Sequence, residues 1–221
     1  MDLLDRLDAM IDRRRLLTHS FYTKWVAGTL PPEAIQEYAR QYYAFESEFP
    51  RFLSAIHTAT PDADARRVVL DNLWDEEHGE ENHAELWLRF AEGMGVSRED
   101  VAAAEPNAAT ATLVDTYRRA STSSPGAGLA AMHAYERQVP EVARAKIDGL
   151  RDHYGVDDER TTRFWSVHER LDVEHAGAER GLLTDLGRDD PDAAVRATDE
   201  ALEAWWGFLD AVPTRAEAGA R

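Results

Sequence analysis

The chain has 221 residues, of which 43% are hydrophobic, and its formal net charge is -17. This length accommodates one domain with a substantial core. The negative charge argues against binding to nucleic acid or to an anionic membrane surface, because both would repel the protein. No cysteine is present, which excludes disulfides, thiolate metal sites and cysteine nucleophiles. Any bound metal must therefore be held by His, Asp and Glu.

The sequence contains no apolar run that reaches the roughly 18 residues expected of a transmembrane helix. Its first segment, MDLLDRLDAMIDRRR, is amphipathic and lacks the basic and apolar regions of a signal peptide. We therefore expect a cytoplasmic protein with no membrane partner. The acidity fits either a high-salt cytoplasm or a lineage preference for Asp, Glu, Ala and Arg, and both explanations stay open.

Helical periodicity runs through nearly the whole chain, and proline and glycine fall between the periodic segments. In chain order, the predicted helices cover residues 2–27, 29–49, 51–59, 63–93, a short piece after 97, 107–122, 129–155, 159–186 and 191–212. Merging the kinked and short pieces predicts an all-α bundle of seven or eight helices. We expect one domain over residues 1–212 and a frayed tail over residues 213–221.

The segment NLWDEEHGEENHAELW, residues 72–87, holds six acidic residues and two histidines within a predicted helix. Successive helical residues turn by about 100°, so Glu76 and His83 lie within about 20° of one line. Glu80 is about 40° from Glu76 by the same geometry. We predict that the three side chains share one face, with Glu76 or Glu80 as a ligand. For this stripe alone, a solvated acidic face is the more common arrangement.

A second polar stripe lies in SVHERLDVEH, residues 166–175. His168, Asp172 and His175 occur at i, i+4 and i+7, within a sector of about 60° on one helix face. Glu136 lies between the two stripes in sequence, just before a predicted proline kink, and can face inward. The two stripes together favour a metal site over a solvated surface.

Two adjacent transition-metal ions are the predicted occupants of this set of three histidines and three carboxylates. Carboxylates can bridge two ions, imidazoles complete each coordination shell, and helical bundles build such sites from facing helices. Fe/Fe and Fe/Mn pairs use similar ligands, and reduced iron in this setting can activate O2. The predicted ligands are Glu76, His83, Glu136, His168, Asp172 and His175.

These spacings resemble those of the haem-oxygenase-like dimetal oxidases, with Glu-x6-His, a lone Glu and His-x3-Asp-x2-His in that order. Within that superfamily, the chain is most similar to the chlamydial death-domain-associating protein family, which is linked to para-aminobenzoate synthesis for folate. The likeness is carried by THSFYTKWVAGTL, NLWDEEHGEENHAELW and AYERQVPEVARAKIDGL, and it covers roughly residues 5–185. It implies a haem-oxygenase-like bundle, a dimetal centre, O2, an external reductant and a homodimer.

The same resemblance implies roles for three tyrosines and one lysine. In that family, a tyrosine of the protein supplies the aromatic ring and a lysine supplies the amino group, so the protein is consumed by its own reaction. The matching residues are Tyr22, Tyr38, Tyr135 and Lys146. Ordinary core packing of the tyrosines and a surface position for the lysine are the alternatives, although the chain contains only one other lysine, Lys24.

Two other functions are compatible with the sequence. The same centre can oxidise a small diffusible substrate such as an amino acid, for example by N-oxygenation, with Tyr22 and Lys146 only shaping the pocket. The third possibility is a helical interaction protein without enzymatic activity. It is the weakest, because buried carboxylates without a metal cost on the order of several kcal/mol each. Thiaminase relatives use a cysteine nucleophile, and this chain has none.

Overall fold

The structure is a computed structural model that describes residues 2–214, and all regular elements in this range are helical. One 3-10 turn, Leu16–Thr18, accompanies twelve α-helices there. The α-helices are α1 (Leu3–Arg13), α2 (Ser20–Val26), α3 (Pro32–Glu46), α4 (Phe49–Ala59), α5 (Ala63–Glu77), α6 (His83–Gly93), α7 (Arg98–Ala102), α8 (Ala108–Ser123), α9 (Pro125–Glu136), α10 (Val139–His153), α11 (Glu159–Leu186) and α12 (Pro191–Ala211). The all-α prediction is confirmed.

The helices in this range outnumber the seven or eight predicted, because several long periodic segments are interrupted. The 3-10 turn divides the predicted helix 2–27 into α1 and α2. Pro50 and Pro140 each lie in the first turn of a new helix, where the missing N–H costs little. The sequence predicts the break near Pro50, but it does not predict the break at the 3-10 turn, and at Pro140 it predicts only a kink.

The prediction of one continuous helix over residues 63–93 is wrong, since residues 78–82 form a turn between α5 and α6. Gly79 has a φ of 82°, a left-handed conformation that favours glycine. The side chain of Asn82 then caps α6 by accepting a hydrogen bond from the backbone N–H of Glu85. The turn allows the last residues of α5 to face the first residues of α6.

Helix α9 is the central helix of the bundle, and its residues from Gly126 to Glu136 are all buried. It packs against α4, α8, α11 and α12. Small residues permit this close packing: a Cβ on Gly128 would lie 2.5 Å from Cγ1 of Ile56. A Cβ on Gly126 would lie 2.5 Å from the backbone oxygen of Leu186. The packing holds α9 close to α11.

Helix α11 has 28 residues and packs against α5, α6, α9 and α10. Its buried residues recur at intervals of three or four and therefore form one inward face. These residues include Phe164, Trp165, His168, Asp172, His175, Glu179 and Leu183. The middle of this inward face is polar, although both of its ends are apolar.

One continuous hydrophobic core extends from α1 to the end of α12. Within it, Tyr42 stacks on Trp87 with ring centroids 4.0 Å apart, and Tyr135 stacks on Trp205 at 4.4 Å. Of the predicted tail over residues 213–221, residues 215–221 lie outside the described range. Across residues 2–214, no helix has both the length and the apolar composition that a membrane crossing requires.

We expect Gly149→Ala to destabilise the protein by about 1–3 kcal/mol, the usual cost of overpacking a core. Its Cβ would lie 2.6 Å from Cδ1 of Trp25, a fully buried side chain. Gly181→Ala is the matched control, because its Cβ meets no atom within 4 Å in the middle of α11. The control should gain about 0.5–1 kcal/mol from helix propensity. Urea unfolding measures both changes, and equal stability of the two variants would contradict the packing.

Candidate metal centre

Five carboxylates and three histidines from five helices meet in the interior of the bundle. Each of the eight residues is at most 9% exposed. Helices α3, α5, α6 and α9 each contribute one residue, and α11 contributes four. The eight residues are Glu46, Glu76, His83, Glu136, His168, Asp172, His175 and Glu179. All six predicted ligands are therefore brought together, with Glu46 and Glu179 in addition.

Glu46, His83 and His168 form the first group of possible ligands. One ligand atom from each lies within 4.8 Å of the others. Two atoms bound to one transition-metal ion at about 2.0–2.2 Å are at most about 4.4 Å apart, so small movements adapt this spacing to a single ion. The imidazole rings of His83 and His168 have centroids 4.3 Å apart. This group can hold one ion.

Glu76 faces the first group, and its Oε2 is 2.8 Å from Nδ1 of His83. The sequence predicts that the two residues share one helix face, but a straight helix would separate them by about 10 Å along its axis. They meet instead across the turn at residues 78–82. Glu80 is exposed in that turn, so Glu76 is the carboxylate at the site.

Glu136, Asp172 and His175 form the second group, with ligand atoms again within 4.8 Å of one another. The side-chain amide of Asn72 donates a hydrogen bond to Oε1 of Glu136 at 3.2 Å. Asn72 lies one turn before Glu76 on α5, and both are buried. Helix α5 thus supplies a carboxylate to the first group and an orienting donor to the second.

Hydrogen bonds away from the centre orient two of the histidines. Nδ1 of His168 donates to the backbone oxygen of Phe164 at 2.8 Å, which leaves Nε2 with its lone pair. Nε2 of His175 donates to Oδ2 of Asp75 at 3.0 Å, which leaves Nδ1 facing Asp172 at 3.6 Å. Metal-binding histidines generally have such an outer partner.

Burial and mutual repulsion raise the pKa of three carboxyls in the protein without metal. Burial, and then the negative charge of Asp172, raise the pKa of Glu136 to about 8. Burial and the charges of Glu76 and Asp172 hold the pKa of Glu46 well above its usual value. Burial and the charge of Glu136 do the same for Glu179. A nearby cation would therefore stabilise the ionised form of these three carboxyls.

Ion pairing shifts the pKa values of the other groups. Burial alone would raise the pKa of Glu76 and lower that of His83, but their attraction outweighs burial and reverses both shifts. The pKa of His175 rises to about 10, since burial is outweighed by the hydrogen bond with Asp172 and by nearby negative charges. Burial and the charge of His83 lower the pKa of His168.

The buried oxygens of this cluster fit metal ions. Throughout residues 2–214, no hydrogen-bond donor reaches Oε1 of Glu46 or Oδ2 of Asp172. Buried polar atoms normally have a partner, and a carboxylate oxygen without a donor is a natural cation ligand. The mixture of imidazole and carboxylate donors suits iron or manganese. The donor set therefore fits two transition-metal ions.

Lys146 lies in an aromatic pocket and is fully buried. Its Nζ donates a hydrogen bond to the hydroxyl of Tyr38. It is 3.8 Å from the ring centroid of Trp165 and 5.3 Å from that of Tyr22. Burial holds the pKa of this amine well below its usual value, and it raises the pKa of Tyr22 and Tyr38. The surface alternative for Lys146 is therefore wrong.

Tyr42, which is not among the tyrosines singled out from the sequence, connects this pocket to the metal centre. Its hydroxyl is hydrogen-bonded to that of Tyr135, the residue before Glu136. Its ring is 5.5 Å from that of Tyr38. The three tyrosines thus form a continuous path from Glu136 to Lys146.

The sequence does contain signals for the two carboxylates that were missed. Glu46 is four residues after Tyr42 on the buried face of α3, where an apolar residue is expected. The spacing from Glu46 to Pro50 repeats the spacing from Glu136 to a proline, and in both cases the glutamate ends a helix. Glu179 extends the polar stripe of α11 by one more turn. Each signal is a charged residue at a buried position.

A family model described as iron-containing redox enzyme matches residues 36–207. The 4-aminobenzoate synthase of Chlamydia muridarum is 43% identical over 211 residues, which are 95% of this chain and 89% of that protein. The 4-aminobenzoate synthase of Chlamydia trachomatis is 42% identical over 211 residues, which are 95% of this chain and 91% of that protein.

A solved structure from Shewanella denitrificans, described as a domain of unknown function with a haem-oxygenase-like fold, is also similar. It superposes with a TM-score of 0.79 at 19% identity, over 96% of this chain and 92% of that chain. At this identity the likeness concerns the fold alone. The haem-oxygenase-like fold expected from the sequence is confirmed.

We expect the parent protein to bind two transition-metal ions per chain and His168→Ala to bind fewer, because the first group loses one of its imidazole ligands. His57→Ala is the control, since His57 lies on α4 outside the centre. Elemental analysis after anaerobic Fe(II) loading measures the content. Unchanged metal in His168→Ala would contradict the assignment of the first group.

We expect the metal-free parent protein to lose stability as the pH rises from mildly acidic to neutral. Metal-free Glu136→Gln should lose less stability over the same range. The folded state binds the Glu136 proton with a pKa of about 8, against 4.5 for the free side chain. This carboxyl therefore contributes most to the free energy of unfolding below pH 4.5, and that contribution is lost as the pH rises toward about 8. Because glutamine does not titrate, the free energy of unfolding of the parent should fall by on the order of 1 kcal/mol or more relative to that of the variant over this pH range. Urea unfolding across this range measures the difference, and parallel curves would contradict it.

Proposed function

Because this chain belongs to the iron-containing redox enzymes with a haem-oxygenase-like fold, we propose that it is a 4-aminobenzoate synthase. Relatives that carry this name are 39–43% identical over 93–95% of this chain. We further propose that the chain supplies the product's atoms itself, with a tyrosine as the source of the ring and Lys146 as the source of the nitrogen. This reaction would serve folate biosynthesis.

The observation that carries the proposal is the buried amine of Lys146. Among the groups that the structure describes, no charged partner perturbs this amine, and burial alone lowers its pKa. A lysine without a counterion in an apolar pocket is neutral more often than a surface lysine, and its lone pair is then available as a nucleophile. The amine also touches an aromatic hydroxyl, that of Tyr38. An amino donor must have both properties.

The chemistry of the product fits a tyrosine side chain. 4-Aminobenzoate has an amino group opposite a carboxylate on a benzene ring, and tyrosine has its hydroxyl opposite Cβ. Conversion breaks the Cα–Cβ bond, oxidises Cβ to the carboxylate and replaces the ring C–O bond by a C–N bond. The nitrogen leaves Lys146 as its Cε–Nζ bond breaks, and Cε is oxidised to an aldehyde. The ring oxygen leaves as water, and Cα takes a hydrogen in place of Cβ, which leaves a glycine residue in the chain. O2 is the oxidant, and the reductant supplies the electrons that O2 requires beyond those released by the side chain.

Tyr22 is the ring source that we favour, and Tyr38 is the second candidate. Both rings face Nζ of Lys146, with centroids at 5.3 Å and 4.1 Å. Tyr38 accepts the hydrogen bond from Lys146 and so orients the amine. Tyr135 is instead hydrogen-bonded to Tyr42, and it is the residue before Glu136. This position suits a residue that lies between the metal centre and the lysine pocket.

The two ion sites would be held by the first group with Glu76 and by the second group. An Fe/Fe or Fe/Mn pair supplies O2 activation with electrons from an external reductant. The protein's own residues exclude water from the pocket and hold the amine against the ring: Trp25, Trp165 and Tyr38 surround Lys146. The homodimer implied by the resemblance stays a prediction, which analytical ultracentrifugation tests.

We expect Lys146→Arg to abolish 4-aminobenzoate formation while metal content is retained, because a guanidinium does not lose its proton or donate an amine. Lys24→Arg is a matched control: Lys24 is the other lysine of the chain, and its Nζ donates a hydrogen bond to the hydroxyl of Thr214. The assay supplies Fe(II), O2 and a reductant and measures product by mass spectrometry.

Tyr22→Phe keeps the packing of the pocket and should also abolish the product, since the ring then lacks the oxygen that is exchanged. Undiminished product from Lys146→Arg, or many molecules of product per chain from an added substrate, would contradict the proposal. The latter result would favour an oxidase that acts on a small diffusible substrate.

A further inference from the structure

A cavity of about 230 Å³ lies between α5 and α11 and connects the surface to the second group of ligands. Its inner wall contains Asn72, His175 and Glu179, which are buried. Its outer wall contains Asp71 and Glu174, which are exposed. The cavity therefore passes from solvent to the edge of the metal centre.

Glu179 is the innermost carboxylate of this cavity, and it is 3% exposed. Neither of its oxygens accepts a hydrogen bond from any donor among the described residues. The nearby carboxyls of Glu136 and Asp172 repel its negative charge. A buried, ionised carboxylate without a partner costs several kcal/mol, so a cation that reaches Glu179 would stabilise it.

The position of Glu179 on α11 places it between the cavity and the second group. It follows His175 by four residues and Asp172 by seven, and so continues their helix face by one turn. It lies outside the cluster in which ligand atoms of Glu136, Asp172 and His175 are within 4.8 Å of one another. Glu179 is thus adjacent to the site without belonging to its compact set.

The charge of the cavity suits a cation. Three carboxylates, Asp71, Asp75 and Glu174, line its outer part, and the lining formed by the described residues contains no arginine or lysine. The chain as a whole has a net charge of -17. Clefts lined by one sign of charge concentrate ions of the opposite sign and raise their association rate.

We propose that this cavity is the path by which divalent metal ions reach the centre, and that Glu179 binds the incoming ion before it passes to Glu136, Asp172 and His175. The proposal rests on the dimetal centre of the proposed function. The step is a ligand exchange only: carboxylate oxygens replace water on the ion, and the oxidation state of the ion does not change.

The test follows Co(II) uptake by the full-length protein without metal, using the absorbance of bound Co(II) in a stopped-flow instrument. Glu179→Gln should slow uptake by about tenfold or more, since steered association depends on this charge. The final number of Co(II) ions per chain should not change. Glu169→Gln is the control, because Glu169 is also on α11 but is paired with Arg144 outside the cavity.

A second variant narrows the path without removing a charge. Ala178 is exposed and lines the cavity, so Ala178→Phe should also slow uptake while leaving the final Co(II) content unchanged. Equal uptake rates in the parent and in Glu179→Gln would overturn the proposal. Loss of a bound ion in Glu179→Gln would overturn the transient role and make Glu179 a permanent ligand. Failure of the parent to bind Co(II) would instead overturn the dimetal centre, and the path with it.

Discussion

The burial of five carboxylates in one place is the constraint on which the rest of the structure depends. Each of these carboxylates is at most 4% exposed: Glu46, Glu76, Glu136, Asp172 and Glu179. Even if all three histidines were protonated, they would balance only three of the five negative charges. Protonation or metal binding must supply the missing positive charge. The long helix α11 supplies two of these carboxylates, and the breaks after Glu46, Glu77 and Glu136 aim the ends of α3, α5 and α9 at it. The helix interruptions are therefore part of how the centre is built.

The interior has two halves with opposite requirements. The carboxylate half needs cations, whereas the aromatic half holds Lys146 in surroundings that disfavour its charge. Helix α11 serves both, because Trp165 lies against the amine and His168, one turn later, lies in the first group of ligands. Oxidising power generated in one half would thus lie close to a neutral amine and tyrosine rings in the other. Such an arrangement would favour oxidation of the protein's own side chains.

Much of this could be predicted from the sequence, since polar residues at helical spacing show which side chains share a face. His168, Asp172 and His175 lie on an unbroken helix, and the geometric argument for them was sound. Glu76 and His83 also meet, but across a turn at Gly79 that periodicity does not reveal. Glu46 and Glu179 are harder to predict, although Glu46 precedes a proline by the same spacing as Glu136 and Glu179 continues the stripe of α11. Their burial depends on which helices pack against them, and the sequence does not show that packing. Long-range packing, such as Tyr42 against Tyr135, is set by tertiary structure and has no local signature.

Isotope labelling reveals which atoms of the protein enter the product. Protein with heavy carbon in its tyrosine rings and heavy nitrogen in its lysine side chains would be supplied with Fe(II), O2, a reductant and an excess of unlabelled tyrosine and lysine. The account predicts 4-aminobenzoate that carries both labels, with at most one molecule formed per chain. Unlabelled 4-aminobenzoate, or repeated turnover of the added amino acids, would contradict the account and make the chain an ordinary catalyst.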